Sequence, residues 1–580
     1  MREMLRTVWP YFHRYRRALA LGLAALVVKD ACAVVLPLLI RAAVDSLTLG
    51  FELRKLFGFA ALLVVAAAVK GIFQYWMRVI LIGCSRDVEY DLRNDLFARL
   101  ISLSQDFYSR FRTGDIMARA TNDLNAVRMM LGPGVMYWTE TALLFVLALA
   151  AMLSVDWPLT LMALAPAPLV SVAVLYFGRA IHDRFERIQS RFSDISSRVQ
   201  ENLAGVRVIR AYAQEEAELK RFEQLNRGYI AESIRLAKIS GLFMPLLQSL
   251  IGFTFLVVLW AGGYRLLRGE ITLGTFLMFN TFMGLLVWPM VAFGWVVNLM
   301  QRGQASLTRI NEILKERPSI AAPARPRPFP ASCAGRIEFR GVRLDFGPFQ
   351  ALKDVDLEIP AGSVVAVVGH TGSGKSSLVS LVPRLMDPTA GRVLIDGVDV
   401  REFDPRELRA AIGIVPQETF LFSTTIADNI AFGVKDATEE RIRAAAEAAG
   451  LAGDIKGFPD GYRTLVGERG VTLSGGQKQR AAIARAILRD PRILILDDAL
   501  SSVDTVTEER ILNSLAGVMR GRTTILISHR VSTIRNAGRI FVLEDGRVAE
   551  EGTHAELLAR GGYYADLYQK QLLEEELQAI

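Results

Sequence analysis

Gly369-His370-Thr371-Gly372-Ser373-Gly374-Lys375-Ser376 has the spacing G-x-x-x-x-G-K-[ST] of a phosphate-binding loop. The apolar run 364–368 before it reads as a buried strand, and 376–382 can open a helix. Glycines let backbone approach a triphosphate closely, and a helix N-terminus turns unpaired N–H groups toward an anion. In that geometry Lys375 reaches the β- and γ-phosphates, the Ser376 hydroxyl ligates Mg²⁺, and Ser377 follows on the same turn. A chance Lys-Ser after a glycine-rich turn would have neither the strand nor the helix. The three together predict a site for a nucleoside triphosphate with Mg²⁺.

Other groups fall at the ends of apolar runs. Ile412-Gly413-Ile414-Val415 leads to Pro416-Gln417, with Gln417 placed to touch Mg²⁺ and an attacking water. Ile493-Leu494-Ile495-Leu496 ends at Asp497, a candidate metal carboxylate, followed by Asp498. Thr523-Thr524-Ile525-Leu526-Ile527 ends at Ser528-His529. Ligands of open parallel sheets bind beyond the carboxyl ends of the strands, which is where all of these would lie. Taken singly, Gln417 or His529 is more often a structural polar residue; four strand-end groups in one sequence argue the other way. Leu473-Ser474-Gly475-Gly476-Gln477 then opens a helix over 478–488, a second glycine-flanked N-terminus and a second anion site. One nucleotide has no obvious use for two such sites from one chain.

The elements around these motifs are of two kinds. Of 580 residues, 51% are hydrophobic, which points to membrane, and six apolar segments centre near Ala31, Ala68, Leu147, Leu169, Phe253 and Leu285. The last two, 239–264 and 271–301, carry no Asp, Glu, Lys or Arg and exceed the ~20 residues a bilayer requires. Ala31-Cys32-Ala33 mimics a signal-peptidase site, but apolar sequence resumes at once through Ile40, so a spanning helix is expected and not a cleaved leader. Residues 1–17, with Trp9, Tyr11, Phe12 and Tyr15 among arginines, read as an interfacial helix. Connections after the second and fourth segments are long and arginine-rich, so these and both termini are expected on the cytoplasmic side. That asymmetry accounts for the formal charge of +8 without nucleic acid. Helical spacing in those connections predicts that the helices run on past the membrane and turn at Arg112-Thr113-Gly114-Asp115 and near Gly205. A proline-rich linker over 317–334 separates this domain, 18–316, from soluble α/β sequence over 335–580. Three separated cysteines and five histidines give no disulfide framework and no metal-ligand spacing.

Four charges interrupt the apolar helices: Lys29, Asp30, Lys70 and Glu140. Counted from the outer loops at ~1.5 Å per residue, they share one band of depth. Intramembrane charges find partners, and the expectation is that Lys70 pairs with Asp30 or Glu140, bracing a cavity. Phe276, Met278, Phe279, Phe282, Met283 and Trp288 on the last segment would suit an adaptable apolar cavity, or else pack as core.

With these residues in place, the chain resembles an ABC exporter half-transporter, LSGGQ being that family's signature. The resemblance implies an all-α six-helix membrane domain fused to an α/β ABC nucleotide-binding domain. It implies that Phe346 stacks on adenine where the family usually has Tyr, and that Gln417 and His529 are its Q-loop and switch residues. It places Ser501-Ser502-Val503-Asp504 at the D-loop, with Asp504 near nucleotide, and Val466-Gly467-Glu468-Arg469-Gly470 at an exporter-type segment. Thr113-Gly114-Asp115 with Arg119 to Asp123, and the stretch from Gly205 to Glu215, resemble the two coupling segments. In that family two ATPase domains close head to tail, so Ser474, Gly475, Gly476 and Gln477 would serve the other chain's nucleotide.

One departure stands out: the family's general base is Glu, and here it is Asp498, whose carboxylate would fall about 1.5 Å short. This is the pattern of heterodimeric exporters whose one chain has an altered base. A homodimer using Asp498 stays open, as does an ATP-gated membrane regulator in place of a pump. The expected partners are a second half-transporter, the bilayer, and an amphipathic or hydrophobic substrate. Six spans exclude an ABC protein acting on DNA or ribosomes.

Overall fold

The computed structural model describes every residue except Met1, Phe51, Ala331, Glu468, Arg469, Val471, Asp504 and Ile580. The chain forms two compact units, Met1–Ser102 with Phe111–Glu316, and Leu103–Arg110 with Arg317–Ile580.

The first unit is helical. A short α1 (Arg2–Arg14) precedes six long helices: α2 (Arg16–Leu49), α3 (Leu53–Ser102), α4 (Thr113–Val155), α5 (Trp157–Ala204), α6 (Glu215–Leu267) and α7 (Leu273–Lys315). Each of the six is long and apolar enough to cross a membrane. Local chemistry sets their ends. Asp156 caps α5, accepting from the Leu159 N–H at 2.9 Å with Pro158 in the first turn, and Thr272 caps α7 through the Thr275 N–H at 3.1 Å. The 50 residues of α3 and 53 of α6 span about 75–80 Å, more than twice the ~30 Å of a hydrocarbon core. The long connections are therefore helix, broken at 103–104, at 111–112 just before Thr113 where a turn is expected, and at Gly205.

Two π turns, Arg119–Asp123 and Met130–Gly134, the second containing Pro133, interrupt α4. The first of them orients buried charges. Arg119 donates to Asp115 at 3.0 Å, to the Arg309 carbonyl at 2.7 Å and to Glu312 at 2.8 Å, while Asp123 accepts from Ser306 at 2.9 Å and from Arg309. The base of α4 is thus fastened to the far end of α7.

One open reading of the membrane helices is resolved and one expectation is corrected. Met278, Phe279, Phe282 and Met283 do not face a cavity; they pack a core against Leu144, Ala148, Leu159 and Val258, and among the six named residues Trp288 is the exposed one. Lys70 is not the bracing cation either. Lys29 is, lying 2.8 Å from Asp30 and also pairing with Glu140 on α4, while half-buried Lys70 makes no ion pair with either carboxylate. Counting residues fixes depth, but rotation about the helix axis decides which charges meet.

The second unit holds two sheets. An antiparallel one has the order β2 (Phe349–Ile359), β1 (Ile337–Phe346), β4 (Ala390–Ile395), β5 (Val398–Asp399). The other has six strands in the order β10 (Arg547–Gly552), β9 (Arg539–Glu544), β3 (Val364–Gly369), β8 (Thr523–Ile527), β7 (Ile493–Asp497), β6 (Ile412–Val415). All but β10 run parallel, so their carboxyl ends share one edge. Fully apolar runs suit strands covered on both faces, and β7 and β8 are buried at every residue. The proline-rich stretch lies along this unit: the Arg327 N–H donates to the Glu402 carbonyl at 2.9 Å, and Phe329 packs on Phe403. Segment Leu103–Arg110 joins it, with Ser104 accepting from the Ile320 N–H at 3.0 Å.

Candidate functional site

Beyond the parallel strands' carboxyl ends lies a cavity of about 240 Å³, lined by Phe346, Phe349, Ala351, Thr371, Gly372, Gly374, Lys375, Ser376, Ser377, Gln417, Asp497, Asp498, Ile527 and His529. Residues from four parallel strands and the β1–β2 hairpin thus converge on one hollow.

The loop between β3 and α8 (Lys375–Leu381) forms its floor. Gly374 sits at φ 100°, and a Cβ there would come within 2.6 Å of the Ala351 carbonyl, so glycine is required. Gly369, His370 and Ser373 lie behind the lining. The Lys375 ammonium donates to the Gly369 carbonyl at 2.9 Å and the His370 carbonyl at 2.7 Å, and lies 3.4 Å from the Ser373 hydroxyl. Burial lowers its pKa, opposed by the Asp497 and Asp498 charges.

Asp497, 6% exposed, ends β7, and its Oδ1 has no hydrogen-bond partner. Burial raises its pKa; the Ser376 hydroxyl, Lys375 and His529 oppose the rise and Asp498 adds to it. A buried carboxylate oxygen left without a donor beside a serine hydroxyl suits a hard divalent cation, so Mg²⁺ fits between Ser376 and Asp497, with Gln417 on the same cavity wall. Asp498 adopts φ 50°, its N–H donating to the Ile527 carbonyl at 2.9 Å. At the other end Phe346 and Phe349 face one another across a Gly347-Pro348 turn, a pair of exposed rings for a base. Phe349 was not among the expected residues, although an aromatic–Gly-Pro–aromatic turn is a signal for it.

Ser474, Gly475, Gly476 and Gln477 do not line this cavity. They form the start of α9 (Gly475–Leu488), exposed at Ser474 and Gly475, where Ser474 and Gln477 make a reciprocal capping box and Gln477 also donates to Asp454 at 3.0 Å. Side chains at Gly475 and Gly476 would crowd Ser502, at 3.2 Å and 3.1 Å. Buried Gln479, also unanticipated, donates to the Ser501 hydroxyl at 2.9 Å and accepts from the Ser502 N–H at 3.0 Å. Asp504, Glu468 and Arg469 lie outside the described residues.

Six membrane-crossing helices fused to a P-loop ATPase with a second glycine-rich helix start define an ATP-hydrolysing membrane transporter. Family models for the ABC transporter transmembrane region and the ABC transporter match residues 19–290 and 352–501. A Bacillus subtilis protein named "Probable multidrug resistance ABC transporter ATP-binding/permease protein YheI" is 37% identical over 97% of this chain and 96% of its own. The multidrug resistance-like ATP-binding protein MdlA of Escherichia coli is 36% identical over 100% and 98%, and an ATP-dependent lipid A-core flippase of Syntrophus aciditrophicus 34% over 99% and 95%. A solved bacterial Atm1-family ABC exporter with ATP bound superposes with a TM-score of 0.79 at 29% identity, covering 96% of this chain and 98% of that one. The chain belongs to the ABC transporter family, as an exporter-type half-transporter whose ATPase uses ATP and Mg²⁺.

Asp497→Asn separates stability from chemistry. Replacing a buried carboxylate that has one unpartnered oxygen by a neutral amide should raise the nucleotide-free ATPase unit's unfolding midpoint by about 2–4 °C. Mg²⁺-dependent ATP hydrolysis at this site should be lost. Thermal unfolding with and without Mg²⁺ and ATP checks both.

Proposed function

We propose that this chain is one half of an ATP-driven exporter that moves an amphipathic or hydrophobic molecule out of the cytoplasm or inner leaflet. Its two ATP sites form when two ATPase units meet head to tail. The observation that carries this is the separation just described: Lys375, Ser376, Gln417, Asp497, Asp498 and His529 surround one cavity, while the start of α9, exposed at Ser474 and Gly475, stands elsewhere. A second copy of such a unit, or a related one, supplies what each cavity lacks. Lys375 then holds the β- and γ-phosphates, Ser376, Gln417 and Asp497 hold Mg²⁺, and His529 faces the γ-phosphate. Phe346 and Phe349 take adenine. Asp498, one methylene short, makes this chain's own site slow, so the pairing is with a different half-transporter carrying Glu, whose site this chain's signature completes. Both termini and the arginine-rich connections face the cytoplasm, and the chain sits in the inner membrane.

A second cavity, about 590 Å³, between α4, α5 and α7 supports this substrate class. Trp138, Phe145, Pro168 and Leu175 make its walls mostly apolar, with Thr141 and Ser171 as the polar points. That size and lining suit a lipid-like or drug-like molecule. The multidrug and flippase names of the relatives agree with this class.

Paired variants test the head-to-tail arrangement. Lys375→Ala should cut nucleotide retention at this chain's own loop. Ser474→Ala should leave binding to the isolated chain unchanged and slow hydrolysis at the partner's site by about tenfold or more. Both are read by nucleotide photolabelling of each chain and by ATP-dependent uptake into inside-out vesicles. Equal loss of binding in the two variants would refute the arrangement, and ATP hydrolysis without any uptake would favour a regulator over a pump.

A further inference from the structure

The last long helix, α10 (Tyr563–Ala579), touches both sides of the nucleotide cavity without lining it. Its Gln571 is a clamp on the loop that carries His529. The amide nitrogen donates to the His529 carbonyl, and the amide oxygen accepts from the Val531 N–H at 2.6 Å. Val531 opens a single helical turn, so its N–H has no partner within that turn. One side chain with a donor and an acceptor thus satisfies two backbone groups that flank Arg530. Arg530 is itself held: its N–H donates to the Ser528 hydroxyl at 3.0 Å, and its guanidinium to the Val503 carbonyl at 2.9 Å and to buried Glu508.

The helix bearing Gln571 is firmly seated. Tyr564 is fully buried among Ala366 and Val368 of the P-loop strand and Val531, Ile534 and Leu557. Tyr563 lays its ring against His370 of the P-loop, 4.6 Å between centroids, and its N–H donates to Glu550 at 2.6 Å. From Tyr563 to Gln571 is about 12 Å along the helix axis. Over that span one rigid element registers the switch loop against the phosphate-binding loop.

We propose that Gln571 is a positioning residue for ATP hydrolysis: by fixing the backbone on both sides of Arg530 it aims His529, so the C-terminal helix sets the turnover of this chain's own nucleotide site. This rests on the reading of His529 as a group acting on nucleotide, and the experiment separates the two. ATP turnover is measured on the full transporter in lipid nanodiscs, in wild-type and Asp498→Glu backgrounds, and interpreted in the background that loses more on His529→Ala. There Gln571→Ala should lower kcat about three- to tenfold, with the ATP KM within about twofold. Adding Gln571→Ala to His529→Ala should cost nothing further, because both act through one group. Gln571→Glu supplies a readout that plain destabilisation would not move. Its carboxylate cannot donate to the His529 carbonyl but its protonated form can, so its activity relative to wild type should rise as pH falls from 7 to 5, toward the ordinary glutamate range. If His529→Ala is silent in both backgrounds, the reading of His529 fails and the proposal with it. If His529→Ala is costly while Gln571→Ala is silent, or the two losses multiply, or Gln571→Glu shows no recovery at low pH, the proposal alone is overturned.

Discussion

Asp498→Glu should raise ATP turnover at this chain's own site by about 10²-fold or more, the scale at which a properly placed general base acts. The backbone at Asp498 is not free to compensate for a short side chain. Its N–H is held by the Ile527 carbonyl at 2.9 Å, and its own carbonyl accepts from the Ser501 hydroxyl at 3.0 Å. Side-chain length therefore sets where the carboxylate lies, and one methylene moves it by about 1.5 Å. The left-handed φ of 50° is tolerated by Asp and costs Glu about 1 kcal/mol, small against the expected gain. The measurement is steady-state ATPase of the chain purified alone and with the partner that copurifies. In the mixed transporter, Asp498→Asn should cost little, while the partner's Glu→Gln should nearly abolish turnover. Full turnover by the wild-type chain alone, unchanged by Asp498→Glu, would mean Asp498 already serves as the base in a homodimer.

What the sequence made legible depended on range. The P-loop, the strand ends at Gln417, Asp497 and His529, and the six spans are set by neighbours a few residues apart, and those groups converge as the spacing predicts. Contacts between distant residues were not legible. Nothing near Gln571 in sequence points to a loop 42 residues earlier, and nothing in the alternation over Leu103–Arg110 says that it packs with the ATPase unit. The proline-rich stretch reads as a linker because prolines exclude helix; that its extended backbone hydrogen-bonds along the second unit is not written in its composition. Aromatic and methionine side chains on α7 were ambiguous between cavity and core, since both environments are apolar, and packing resolved them as core.

The buried charges of the membrane helices carry the largest expected effect on stability. Asp30 is fully buried and neither of its oxygens receives a hydrogen bond, so Lys29, itself 4% exposed, is the charge that makes its burial tolerable. The same ammonium pairs with Glu140, whose side chain is 20% exposed. Lys29→Met would leave two carboxylates facing each other across α2 and α4 with no cation at contact. Breaking a buried pair from one side costs about 3–5 kcal/mol, much of it the desolvated charge left behind. The variant should therefore lose thermal stability in nanodiscs and become sensitive to protease before any effect on ATP binding appears. Lys29→Met combined with Asp30→Asn and Glu140→Gln should recover most of that loss, because neutral amides carry no comparable desolvation cost. Lys70→Met should cost much less, as Lys70 acts on Asp30 only from beyond ion-pair distance and makes no salt bridge with either carboxylate. The opposite ranking, a stable Lys29→Met beside a damaged Lys70→Met, would assign the bracing role to Lys70 and overturn the pairing described for α2 and α4.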